Sequence, residues 1–181
     1  MGPLGHISVG FAAKRWAPTV PLGVLVLAAW ILDIMAIALM FAGVEGGAAT
    51  GNPWSHGLFM SVVWSVLAAL LIARIFRSRQ AGIVVGLVVF SHWLLDLISH
   101  PIPFPSFSWR SWQWSYGHPM PPDLPLLLGS PKVGFGLYNS ISAVGATLLE
   151  LAMFLLGATL YVAYLVKKGK NAKPQRAASP S

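Results

Sequence analysis

The segment Ser91-His92-Trp93-Leu94-Leu95-Asp96-Leu97-Ile98-Ser99-His100 sets His, Asp and His four residues apart within an apolar run. An α-helix turns about 100° per residue, so each four-residue step drifts by only about 40° and the three side chains share one stripe. Imidazole and carboxylate can ligate a divalent cation or pass protons. Neither is cheap to bury in an apolar span, so such residues there call for a partner or a function. The chain has only five Asp and Glu, and three of them, Asp33, Asp96 and Glu150, lie inside long apolar runs. His56 opens another such run, in Asn52-Pro53-Trp54-Ser55-His56-Gly57, and His6 lies in a short apolar stretch near the start.

The elements that must position these groups are membrane helices. Of 181 residues, 56% are hydrophobic and 9% charged, against about 25% charged in a soluble domain. A span needs roughly 20 apolar residues. Four segments qualify: about 21–44, 54–76, 81–99 and 137–166. The first is too long, and too lacking in a small-residue cleavage site, to read as a removable signal peptide. Residues 4–13 are apolar but too short, and are expected as a half-helix. Residues 101–136, with Trp109, Trp112 and Trp114 close together, are expected to cap the outer surface, since Trp suits the headgroup level. The expected fold is therefore all-α: a polytopic membrane bundle of four helices plus an N-terminal half-helix. Residues 1–166 form one domain, and the stretch 167–181, rich in Lys, Ala, Pro and Ser, is expected as a disordered basic tail.

Charge sets the orientation. Lys14, Arg15, Arg74, Arg77, Arg79, Lys167, Lys168, Lys170, Lys173 and Arg176 all fall on one side of a four-span arrangement, leaving Arg110 and Lys132 on the other. The positive-inside rule makes both termini cytoplasmic. The net charge of +7 is then a topology signal with some attraction to anionic lipid. Because these charges flank spans and form no folded basic face, nucleic acid is not an expected partner. The chain has no cysteine, which excludes disulfides, a thiolate nucleophile and thiolate metal sites.

At about 1.5 Å of rise per residue, His56 and His100 come out at the outer boundary. Asp96 lies one turn deeper and His92 two turns deeper. Asp33 falls in the outer half of the first span, and Glu150 lies nearer the middle of the fourth. Charged groups in spans face the bundle interior and pair. Taken singly, each has an ordinary structural reading: a packing histidine, a helix–helix hydrogen bond, an interfacial residue. His118 and Asp123 read as solvated loop residues. Taken together, the four spans bring His and carboxylate to one zone. A sulfur-free N/O donor set suits zinc or a similar divalent ion, which would also relieve the burial of the carboxylates.

The same residues resemble the YdjM-like membrane-bound metal-dependent hydrolases, small inner-membrane proteins of bacteria and archaea. Gly5-His6 with Gly10, Leu32-Asp33, Ser55-His56 and Ser91-His92-Trp93-Leu94-Leu95-Asp96 follow the order and approximate spacing of that pattern over residues 5–100. Pro122-Asp123-Leu124-Pro125-Leu126, Gly134-Phe135-Gly136-Leu137-Tyr138-Asn139-Ser140 and Leu149-Glu150 look like later parts of it. The chain departs in two places: about twenty Trp- and Pro-rich residues separate His100 from Asp123, and Ser55 stands where Thr is common. The resemblance implies a metal-assisted hydrolase, with a distant likeness to helical zinc-dependent phospholipase C and nuclease folds. It implies His6, Asp33, His56, His92 and Asp96 as metal-site residues.

The leading expectation is hydrolysis of a lipid or lipid-linked phosphoester in the outer half of the cytoplasmic membrane. Zinc is the expected ion, with manganese or magnesium as substitutes. Glu150 or another free carboxylate is expected as general base, and His100 as proton donor or headgroup contact. The alternatives are a proton- or cation-coupled transporter, which would need a homodimer to enclose a path, a haem protein using His56 and His100, and a structural bundle.

Overall fold

The computed structural model describes residues 2–44, 53–99, 102–103, 132–133, 137 and 141–177. The elements are α1 (Pro3–Ala13), α2 (Leu22–Phe41), α3 (Pro53–His56), α4 (Leu58–Ile75), α5 (Arg79–Ser99), β1 (Ile102–Pro103), β2 (Lys132–Val133) and α6 (Ala143–Ala177). The two strands form a minimal antiparallel pair, Ile102 opposite Val133 and Pro103 opposite Lys132. Otherwise the described fold is a helical bundle. Helices α2, α4, α5 and α6 are each long and apolar enough to cross a membrane.

Polarity is turned inside out relative to a water-soluble bundle. His6, Ser55, His92 and Ser99 are buried, while Phe41, Leu70, Leu87, Val144 and Leu156 are exposed. Exposed apolar surface on that scale needs a non-aqueous surround, and with four spanning helices it makes this a multi-pass membrane protein. The apolar core is small. Leu25, Ala28, Ala29 and Leu32 of α2 pack on Val85, Val88 and Val89 of α5, with Ile72 of α4 and Ala13 of α1.

One end of the bundle is basic. The Lys14 ammonium reaches the carbonyls of Pro18 and Val20, and Gln80 Nε2 donates to Trp16 O at 2.9 Å, joining the start of α5 to the α1–α2 turn. Burial pushes Lys14 below the ordinary lysine value, and its proximity to Lys168 adds to the effect. Lys14 and Lys168 therefore share that end.

Helix boundaries follow local chemistry and correct several expected limits. Helix α5 begins at Arg79 rather than near residue 81, because Ser78 Oγ accepts the Ala81 N–H at 3.2 Å as an N-cap. Helix α6 begins at Ala143, not near Leu137, because Ser142 Oγ accepts the Gly145 N–H at 3.1 Å in the same way. It continues to Ala177, so residues 167–177 are helical where composition alone indicates an unstructured tail. Helix α2 ends in a left-handed Gly43 (φ 70), with Gly43 N–H to Met40 O at 3.0 Å and Val44 N–H to Leu39 O at 2.9 Å. This is a Schellman stop. The expected second span is broken: Gly57 is extended (φ −64, ψ 143) between α3 and α4. The break falls immediately after His56 and frees it from the direction of α4.

Helix α1 is the expected half-helix. Its 11 residues cover about 16 Å, half of a hydrocarbon core of about 30 Å. Its C-terminal end lies at the basic turn, so its N-terminal end points into the bundle. The α4–α5 pair packs backbone against backbone. A Cβ on Gly82 would stand 2.4 Å from Ala69 O and 2.7 Å from Ala73 Cβ, and one on Gly86 would stand 2.9 Å from Ser65 O. Gly82→Val is expected to lower the thermal stability of the detergent-purified protein by about 1–3 kcal/mol through overpacking. Gly23→Ala, where a Cβ meets nothing within 4 Å, is expected to be neutral or slightly stabilising in the same melting experiment.

Candidate functional site

Helix α5 carries His92 and Asp96 on its buried stripe, four residues apart as the sequence predicts. His92 Nδ1 lies 2.9 Å from Ala29 O on α2. A carbonyl can only accept, so Nδ1 carries a proton and Nε2 is the nitrogen turned inward. That nitrogen lies 3.2 Å from His56 Nε2, 3.4 Å from Asp96 Oδ2 and 3.5 Å from Asp33 Oδ1.

Helix α3 supplies His56. Its Nδ1 is 2.8 Å from Ser55 Oγ, so its Nε2 also faces the centre, 3.3 Å from Asp33 Oδ1 and 3.8 Å from Asp96 Oδ2. Helix α1 supplies His6. Its ring stacks on His92 with centroids 3.7 Å apart and planes within 6°, and its Nε2 is 3.3 Å from Asp96 Oδ1. The Asp96 carboxylate is thereby divided, with Oδ1 toward His6 and Oδ2 toward His56 and His92.

His6, Asp33, His56, His92 and Asp96 thus converge from four helices. Two sets have donor atoms within 4.8 Å of one another: His6, Asp33 and His92, and His56, His92 and Asp96. His92 belongs to both. Donors bound about 2.0–2.1 Å from one tetrahedral ion stand about 3.3 Å apart, close to most of these separations. With neutral imidazoles the two carboxylates leave the cluster net negative. A divalent cation fits both the spacing and the charge. The cluster is buried except at one edge: the Asp33 side chain is 38% exposed and that of Asp96 only 3%.

Glu150 lies apart from this group. Its Oε1 accepts the Gly2 N–H at 2.6 Å and its Oε2 the Gly5 N–H at 2.7 Å, so the expected general base instead caps the first turn of α1. His100, His118 and Asp123 lie outside the described residues, as does most of the expected outer cap. His56, half of the haem pair considered above, is committed to the His92–Asp33 cluster.

Sequence reasoning missed the Ala29 carbonyl, which carries no side-chain signal, and the orienting hydroxyl of Ser55, visible only as the neighbour of His56. Compared with known proteins, the chain matches no family model, no curated protein and no solved structure.

Ser55→Ala leaves the buried His56 Nδ1 without its hydroxyl partner, and is expected to cost about 1–3 kcal/mol in thermal unfolding. Ser55→Thr keeps the hydroxyl and is expected to stay near the wild type.

Proposed function

We propose that this protein is a membrane-bound, metal-dependent hydrolase acting on a lipid or lipid-linked phosphoester. The observation that carries the reading is the inward-facing Nε2 of His92. It faces another imidazole nitrogen and two carboxylate oxygens at 3.2–3.5 Å. Acceptors so close repel unless a cation or a proton lies among them, and in a buried site that repulsion is weakly screened.

In this reading His56, His92 and Asp96 hold the ion. Three protein donors with a further position open are the mark of a catalytic rather than a structural zinc site. Two imidazoles favour zinc, with manganese or magnesium as substitutes. The ion supplies Lewis acidity and lowers the pKa of water to about 7. Ala29 O and Ser55 Oγ orient the two imidazoles by engaging their Nδ1 atoms, and His6 orients Asp96 from behind. Asp33 stands at the open edge, where it can take a proton from an arriving water. It assumes the base role expected of Glu150, both of whose oxygens are engaged by backbone amides.

The substrate class follows from the surroundings. An apolar groove of about 370 Å³ is lined by Met35, Ala38, Leu39, Val44, Trp54 and Trp64, and Trp54 is two residues from His56. Such a groove accommodates an acyl or prenyl chain while a phosphoester headgroup sits at the cluster. Among the described residues the cluster has a single exposed edge, which supports a closed reaction site over a proton or cation path, which needs two openings. The positive-inside rule sets the basic end in the cytoplasm, and the family resemblance points to a bacterial or archaeal inner membrane.

Protein purified without chelator is expected to contain about one zinc, manganese or magnesium per chain by elemental analysis, and to lose it on Asp96→Ala. Asp33→Asn is expected to retain metal while lowering hydrolysis of a phospholipid or polyprenyl phosphate in mixed micelles by about 10²–10⁴-fold. Wild-type protein free of all three metals, or metal content indifferent to Asp96→Ala, would sink the proposal.

A further inference from the structure

Helix α6 contributes none of the five clustered residues, yet it carries a buried glutamate about two turns into its span. The position of that glutamate assigns it a task. We propose that Glu150 is a positioning residue: it clamps the first turn of α1 and so holds His6 against Asp96.

The first amides of a helix have no intrahelical acceptor and carry about half a positive charge between them. The two oxygens of Glu150 take the amides of Gly2 and Gly5 at 2.6 and 2.7 Å. The carboxylate is 7% exposed, and charge-assisted bonds of this length compensate its burial. The approach is close: a Cβ at residue 2 would stand 3.0 Å from Glu150 Cδ. Two turns along α6 there is a second fastening. A Cβ on Gly157 would stand 2.4 Å from Ser8 O, so the two backbones touch.

His6 lies between these fastenings, next to Gly5. A half-helix has no second membrane surface to set its depth, so the position of its imidazole depends on what grips it. Glu150 grips one end of α1 and the α1–α2 turn holds the other. The chain of effect runs from Glu150 through the first turn of α1 to His6, and from His6 to Asp96 Oδ1 at 3.3 Å. Its last link rests on the reading of Asp96 as a metal ligand. The clamp itself does not.

Two measurements on the full-length protein test this. The chain has no cysteine, so Ser8→Cys introduces a unique thiol at a position 5% exposed against α6. Its labelling by N-ethylmaleimide is expected to rise roughly tenfold or more on Glu150→Ala, because two charge-assisted bonds are lost. Glu150→Gln is expected to fall between the two, since an amide oxygen can accept one amide but its NH₂ cannot accept the other. It also serves where Glu150→Ala fails to fold.

Separately, Co²⁺ affinity read from the visible spectrum is expected to weaken by about 10–100-fold in both Glu150→Ala and His6→Ala. The double variant is expected to be no weaker than His6→Ala alone, because the glutamate acts through the histidine. Unchanged labelling in both Glu150 variants overturns the clamp, and additive losses in the double variant overturn the route through His6. A wild type that binds no Co²⁺ overturns the metal reading alone, and the labelling result then decides the clamp.

Discussion

A polar atom inside an apolar bundle has no water to fall back on, so each must find its partner in the protein. His92 meets this constraint by directing Nδ1 to the carbonyl of Ala29 at 2.9 Å, and the rest of the site depends on that bond. It orients the ring, and that orientation points the other nitrogen at His56, Asp33 and Asp96. The neighbours repeat the arrangement. His56 gives its Nδ1 to Ser55 Oγ, and Asp96 gives its Oδ1 to His6. In each case one atom is occupied on the outside of the cluster and the other converges on its centre. The proposed metal binding is a consequence of that division.

The helices are arranged to allow it. Helix α5 is the most buried of the four spans and serves as the axis. It can approach α4 closely only because Gly82 and Gly86 face Ala69, Ala73 and the Ser65 carbonyl. The break at Gly57 separates α3 from α4, so His56 turns toward α5 without imposing that direction on a long helix. Helix α2 brings both the Ala29 carbonyl and Asp33, one helical turn apart. Helix α1 would be a fragment without a location if it were not fastened to α6 by Glu150 and Gly157. The long peripheral helix therefore acts on the site at one remove.

The bilayer explains the remainder. The large apolar side chains lie outside because lipid is as apolar as they are, and association of the helices rests on close packing and on polar contacts between them. The apolar core is correspondingly small and lies between the polar cluster and the basic end. The charges gather at the turns, where they can stay hydrated, and the cluster lies beyond the core from them.

Much of this is legible in the chain before it folds. Four apolar runs of sufficient length, basic residues flanking them on one side, and His92 and Asp96 spaced at i and i+4 are local properties. Helix geometry converts them directly into spans, an orientation and a shared face. Depth along each span also brings Asp33 and His56 toward the same zone, and the resemblance names His6 as a further member.

The helix ends were less legible, because they turn on single hydroxyl caps at Ser78 and Ser142 and on the break at Gly57. Least legible were the contacts between helices. That His6 stacks on His92, that a featureless carbonyl at Ala29 orients an imidazole, and that Glu150 serves α1 rather than the His/Asp cluster were decided only in three dimensions. Periodicity states which way a side chain points from its own helix. What it meets there is set by close packing against elements as far as 148 residues away, and no local pattern encodes that.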